Sequence, residues 1–323
     1  MKQNLELENG LIYLAPMEGV IDDKMRSMLT AIGGIDQCTT EFIRVTNSLL
    51  PDHVFYRYCQ ELYSEARTPS GTLVYIQLLG SDPQYMAENA VKAFGLGAPG
   101  VDVNFGCPAK TVNKNDGGAT LLKNPERIYL VLSEMRTQIG PDKILTAKVR
   151  LGFSDKSLHI EIAKACEEGG ANRLTVHART RDEGYQPPAH WEYISRMREN
   201  IHIPTIANGD IWTFSDYLEC KKITGCKDIA LGRSALSNPF LPLMIKSNSV
   251  DKNNPSNWQF FKEKFLTPFV NTQTLDLKTE NYLLCRTKQW LKYLSKNYHE
   301  AQVMFEEVKQ FNNISQLKIK LQE

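Results

Sequence analysis

The sequence predicts an α/β fold, a (β/α)8 TIM barrel followed by a C-terminal all-helical domain, and three observations carry that expectation. Eight short runs rich in Val, Ile, Leu and Thr recur between residues 11 and 233. Helix-length segments separate them. After about residue 245 the strand-like texture stops and only helical periodicity remains. Buried parallel strands read as near-continuous apolar runs, and eight of them alternating with helices match a closed barrel. A doubly wound sheet is the competing arrangement.

In chain order the predicted strands are 11–17, 37–42, 73–79, 101–107, 144–150, 173–179, 203–210 and 228–233. The glycines Gly95, Gly97 and Gly100 fit the spelling of a dinucleotide fingerprint, but that motif must follow a strand and open a helix. Here a helix over 83–94 precedes them and a strand follows, so they read as a helix end and a turn. The stretch 247–258, SNSVDKNNPSNW, reads as a linker. We therefore expect a catalytic barrel over 1–245 and a helical domain over 246–323. In the latter, Leu284, Leu291, Leu294 and Tyr298 recur at helical spacing, while Lys288, Lys292 and Lys296 repeat on another face.

Of 323 residues, 42% are hydrophobic and 23% charged, as expected of a globular protein with a large core. The opening MKQNLELENG is too acidic and too polar for a secretory signal, and no run approaches the roughly 18 apolar residues of a membrane span. A cytoplasmic monomer is the expectation. Seven cysteines without a CxxC pair argue against a disulfide framework and against a bound metal. Net charge is +1, yet residues 251–323 carry 11 basic and 8 acidic side chains, so a polyanion would prefer this end.

A barrel builds its active site where strands end, so the polar residues at those ends are the candidates. They are Pro16-Met17-Glu18-Gly19, Glu41, Gln77, Asn104 with Cys107, Lys148 with Arg150, His177 with Arg179, Asn208-Gly209-Asp210, and Gly232-Arg233. Glycines and a guanidinium after the seventh and eighth strands suggest a phosphorylated cofactor. Lys148 is of a type that can stabilise negative charge on a reduced flavin, and Gln77 of a type that can read a polar ring edge. Cys107, followed by Pro108 and a glycine-containing loop that could act as a lid, is the cysteine placed to serve as a general acid, since a thiol is mostly protonated at neutral pH.

The segments LAPMEGV (14–20), TEFIRV (40–45), RTPSGTLVYIQLLG (67–80), VDVNFGCPAKTVNKNDGGATLL (101–122), KVRLG (148–152), HARTR (177–181), IANGDIW (206–212), LGR (231–233) and RTKQWLKYL (286–294) resemble the bacterial tRNA-dihydrouridine synthases over nearly the whole chain. The surroundings of Arg44, Arg286 and Lys288 resemble the branch that modifies uridine 16 of the D-loop. The resemblance implies reduction of the C5–C6 bond of that uridine, with NADPH as reductant and FMN as cofactor. It implies that Pro16, Met17, Glu18, Gln77, Lys148, His177, Asn208, Gly209, Asp210, Gly232 and Arg233 hold FMN. Cys107 would be the proton donor, and Arg44, Asn104, Tyr185, Arg286 and Lys288 would contact RNA, with Arg150 beside the base. HART and NGD stand where HGRT and NGE are more usual, departures that change no functional group type. Two other readings compete: a dihydroorotate-dehydrogenase-like enzyme acting on a free pyrimidine, and a non-catalytic RNA-binding barrel.

Overall fold

The computed structural model describes residues 10–114, 116–248, 257–272 and 277–322. Its sheet is a closed barrel of eight parallel strands in sequential order, β1 to β8. They are β1 (Ile12–Leu14), β2 (Gln37–Arg44), β3 (Leu73–Leu79), β4 (Val101–Asn104), β5 (Leu145–Arg150), β6 (Arg173–His177), β7 (Thr205–Asn208) and β8 (Asp228–Leu231). The barrel reading holds and the doubly wound sheet falls, because β1 pairs with β8 at Tyr13↔Ala230 and leaves no edge. The helix Pro83–Gly95 ends at the Gly95–Gly100 segment and β4 begins just after it, so that motif is a helix end and a turn.

Several strands stop earlier than the apolar runs suggested. β1 ends before Pro16, which has no N–H to donate to a ladder, and β4 ends at Asn104, three residues before Cys107. Pro16, Met17 and Cys107 therefore ride on loops. The strands also alternate more than expected. Val101 and Val103 of β4 pack outward into the main core, whereas Asp102 and Asn104 belong to the opposite face. The same period places Tyr75 and Gln77, Thr146 and Lys148, and Arg173, Thr175 and His177 toward the barrel axis. A barrel filled only with apolar residues would show continuous hydrophobic strands; this one keeps a polar interior, lined in part by Gln37, Thr39, Asp102, Thr146, Lys148 and Arg173. On β2 the register shifts between Thr39 and Phe42, and the Thr40 hydroxyl takes over as acceptor for the Gln77 N–H at 3.0 Å.

Beyond the barrel, the described chain forms the helices Trp258–Phe261, Thr267–Val270, Leu277–Leu294, His299–Val308 and Ile314–Gln322. The expected junction at residue 245 falls in the last turn of the helix Leu241–Lys246, and the linker lies largely outside the described residues, as does the segment 1–9. Leu284, Leu291, Leu294 and Tyr298 are buried, joining Trp258, Phe261 and Trp290 in the core continuous with the barrel. The helix Leu277–Leu294 is tied to the turn after β1. Arg286 donates through Nη1 to the carbonyls of Gly19 (2.7 Å) and Val20 (2.9 Å) and through Nη2 to Asp22 (2.6 Å). The Tyr282 hydroxyl also donates to Asp22 (2.8 Å), and Gln289 donates to the Gly19 carbonyl (3.0 Å). Among the described residues no helix is long and apolar enough to cross a membrane.

Candidate active site

A cavity of about 500 Å³ opens at the C-terminal mouth of the barrel, within the range of small-ligand sites. Cys107 and the eleven residues expected to hold a cofactor, from Pro16 to Arg233, all line it, as do Asn104, Arg150 and Tyr185. Arg44 lies exposed at the end of β2 instead, and Arg286 and Lys288 sit in the helical region. Among the described residues no cluster of three or more His, Cys, Asp or Glu side chains could hold a metal ion.

One wall is built for an anion. Gly209 has φ +123°, a conformation that disfavours side chains, and a Cβ there would lie 3.1 Å from His177. Gly232 precedes the short helix Arg233–Ser237, whose first amides have no intrahelical acceptor. The Arg233 guanidinium is stacked on two rings, 4.4 Å from the Tyr185 centroid and 5.1 Å from that of Trp212. Asp210 lines the same wall, with its carboxylate engaged by its neighbours. It pairs with Arg179, accepts from the Trp212 indole at 3.2 Å and lies 3.6 Å from Arg233.

Opposite lies the polar floor. Gln77 and Asn104 are hydrogen-bonded to each other at 2.9 Å, and both are buried. The Lys148 ammonium makes no hydrogen bond or ion pair among the described residues, and burial, helped by the charge of Arg150, lowers it to about 8. His177 is pushed well below the ordinary imidazole range, first by burial and then by the charges of Arg150 and Lys148, so it is neutral at pH 7. Arg150 is 2% exposed and donates to the carbonyls of Gly106 (2.9 Å), Thr180 (3.0 Å) and Gly184 (2.9 Å). It fastens the loops after β4 and β6 to each other.

Cys107 sits on the third wall with Phe42, Leu79 and Val112. Burial pushes its thiol up, with Glu18 contributing in the same direction against an opposing bond from the Ala109 amide. The thiol is therefore protonated at neutral pH, as an acid must be. The loop expected as a lid is partly ordered as the helix Lys110–Lys114, and Asn113 donates to the carbonyls of Cys107 (3.2 Å) and Ala109 (2.8 Å).

The lysines of the basic stripe, which begins on the Leu277–Leu294 helix, differ in their surroundings. Lys288 donates to the carbonyls of Lys309 (3.2 Å) and Phe311 (2.5 Å), which close the His299–Val308 helix; the free carbonyls at a helix C-terminus attract a cation. Lys296 instead lies 4.8 Å from the Trp212 ring, at the edge of the cavity. Sequence reasoning missed Trp212 and Tyr293 as lining residues. Trp212 stands three residues beyond the strand-end glycine, Gly209, and could have been included; Tyr293 comes from the helical region and carried no signal of that placement.

The family profile described as dihydrouridine synthase matches residues 13–323. The chain is 45% identical over 306 residues to the tRNA-dihydrouridine(16) synthase of Shewanella oneidensis, covering 95% of each chain. It is 44% identical over 313 residues to the tRNA-dihydrouridine(16) synthase of Haemophilus influenzae, covering 97% of this chain and 99% of that one. Among solved structures it resembles a 2-naphthoyl-CoA reductase complex (TM-score 0.56, 12% identity, 73% of this chain and 50% of that one). It also resembles a histamine dehydrogenase from Rhizobium sp. 4-9 (TM-score 0.53, 15% identity, 73% of this chain and 45% of that one). The chain spans about half the length of these two structures, and at such identities they speak for the barrel fold alone. With a family match running from β1 to the C-terminal residue, the chain belongs to the dihydrouridine synthase family.

Proposed function

We propose that this chain is a tRNA-dihydrouridine synthase that reduces the C5–C6 bond of uridine 16 in the D-loop, the position that its relatives are named for. The observation that carries the reading is one cavity in which a buried, protonated Cys107 shares space with an unpartnered Lys148 and a glycine-and-arginine cradle. Those features fit FMN: Gly209, Gly232 and Arg233 suit its phosphate, Pro16, Met17, Glu18 and Asn208 line its approach, and Gln77, Lys148 and His177 offer polar groups to its ring. When bound, FMN supplies the hydride, which it takes from NADPH. The reaction and its cofactors are compatible with the absence of a dinucleotide-binding domain from the described chain, because a nicotinamide can exchange at an open flavin face.

Residues of the chain do the rest. Cys107 holds the proton destined for C5. Asn104 faces the cavity with one carboxamide hydrogen beyond that given to Gln77, a donor for negative charge developing on a uracil carbonyl. A uridine must leave its stack to enter, at a cost of a few kcal/mol, which contacts to the RNA backbone offset. Arg44 and the 53%-exposed Tyr185 are the members of the RNA set that face solvent, while Arg286 and Lys288 shape the helical surface that RNA would meet. In this reading 1–245 forms the catalytic unit and 246–323 the RNA-docking unit of a cytoplasmic monomer.

Mass spectrometry of unmodified tRNA transcripts treated with protein, FMN and NADPH tests the proposal. A gain of about two mass units mapping to position 16 is expected, as addition of two hydrogens requires. No gain from flavin-loaded protein across a full tRNA set would remove it and favour the enzyme of free pyrimidines.

Lys148 gives the cofactor reading a pH signature. Its ammonium is charged below about 8 and neutral above. FMN affinity is therefore expected to weaken between pH 7 and 9 in the wild type, and to lose that pH dependence in Lys148→Met. Equal pH profiles for the two proteins, measured by flavin fluorescence, would remove Lys148 from the cofactor site.

A further inference from the structure

Beneath the cavity floor lies a carboxylate that the reaction itself does not use. Asp102, on β4, is 4% exposed. Its Oδ2 accepts from Gln77 Nε2 at 2.7 Å and its Oδ1 accepts from the Thr146 hydroxyl at 2.5 Å. The chain of bonds continues upward: Gln77 Oε1 accepts from Asn104 Nδ2 at 2.9 Å, and Asn104 Oδ1 accepts from the Gly106 N–H at 2.9 Å. Every donor points toward Asp102. The upper end of the chain is chemically fixed, since a backbone N–H only donates, and at the lower end Asp102 accepts from both of its partners. Two carboxamides, each free in isolation to flip, are thereby locked in one orientation.

The lock has a consequence at the cavity. Each carboxamide oxygen is already engaged, and each NH2 group retains one hydrogen beyond the bond described. Gln77 and Asn104 both line the cavity, so each presents a donor there: that of Gln77 is the one offered to the cofactor ring, and that of Asn104 is left for the substrate base. We propose that Asp102 is a positioning residue that, through Gln77, makes the floor of the site a donor edge selective for the carbonyl-bearing side of a pyrimidine ring, here the pyrimidine ring of the bound isoalloxazine. The inference rests on the flavin reading of the cavity. Burial raises the Asp102 carboxyl above the ordinary range, opposed by its bonds from Gln77 and Thr146 and by the charges of Lys148 and Arg173. Lys148 and Arg173 also line the same small interior space as Asp102, so the carboxylate is not an uncompensated charge.

The discriminating variants are Asp102→Asn and Asp102→Leu. The asparagine can turn its oxygen to Gln77 and its NH2 to the Thr146 hydroxyl, which rotates to accept, so the donor direction survives without the charge. The leucine leaves Gln77 Nε2 without its acceptor, and the carboxamide is free to swing. Difference Raman spectra of bound FMN, isotopically labelled at its C2 and C4 carbonyls, read the hydrogen bonds these oxygens accept. Asp102→Asn is expected to keep the wild-type carbonyl bands and to bind FMN within about threefold of wild type. Asp102→Leu is expected to move at least one band to higher frequency and to weaken FMN binding about tenfold, the loss that goes with one misplaced hydrogen-bond partner. Unchanged bands in Asp102→Leu, or an equal shift in both variants, would overturn the proposal. Should the leucine variant not fold, Gln77→Met and the double variant Gln77→Met/Asp102→Leu decide the matter, because two apolar side chains then face each other. Their spectra are expected to coincide, and a further shift in the double variant would show that Asp102 acts by a route other than Gln77. Failure of the wild type to take up FMN strikes at the cofactor reading instead, and is seen before any variant is made.

Discussion

Cys107→Ala is expected to reduce formation of dihydrouridine by about 10²- to 10⁴-fold, the usual contribution of a positioned general acid. The thiol contacts Phe42, Leu79 and Val112, on a different wall from the Gly209–Arg233 cradle, so flavin uptake and its reduction by NADPH should persist. That separation makes the result specific: the half-reaction with NADPH keeps its rate, and the half-reaction with tRNA loses it. Cys107→Ser should recover little, because a hydroxyl is a far weaker acid than the thiol at the same place. Stopped-flow traces of each half-reaction check this, and product yield within about threefold of wild type in Cys107→Ala would exclude the thiol as the acid.

The second large effect is on stability. Arg26 is wholly buried and gives two hydrogen bonds, both at 2.8 Å, to the two carboxylate oxygens of Glu61. It also donates to the carbonyls of Ile21 and Tyr58, each at 3.1 Å, and so fixes the far end of the turn that carries Met17 and Glu18. Glu61→Ala leaves that guanidinium buried without its counter-charge, and a loss of about 3–5 kcal/mol is expected. Against a typical total of about 5–15 kcal/mol this is a large fraction. Replacing both partners by apolar residues, Arg26→Met with Glu61→Leu, should recover most of it, because no charge is then stranded. Urea unfolding of the three proteins settles the point; a single variant within about 1 kcal/mol of wild type would mean that water reaches Arg26.

These two sites differ in how far the sequence announced them. Cys107 is visible in the sequence because a barrel gathers its chemistry at strand ends, and the same logic groups Pro16, Gln77, Lys148, His177, Gly209 and Arg233. All of them meet in one cavity. Arg26 and Glu61 are 35 residues apart, on a helix and a short 3₁₀ turn, and no local pattern links them. Asp102 was hidden by a different cause: within VDVN its neighbours are strand formers, and only the inward face of a closed barrel makes the polar alternation meaningful. Lys288 shows the converse. The four-residue repeat it starts with Lys292 and Lys296 is genuine, but the carbonyls that claim it belong to a neighbouring helix end.

The hold of Arg286, Gln289 and Tyr282 on the turn at Gly19–Asp22 bears on how such enzymes could be re-engineered. Grafting the C-terminal helices of a relative onto this barrel, to redirect it toward another nucleotide, would exchange one half of a clasp and leave the other behind. Glu18 and Gly19 would lose their buttress, and the transplant would disturb cofactor uptake before it altered recognition. A chimaera must carry residues 16–22 with the helices, so the natural unit of exchange is discontinuous in sequence although it is contiguous in space.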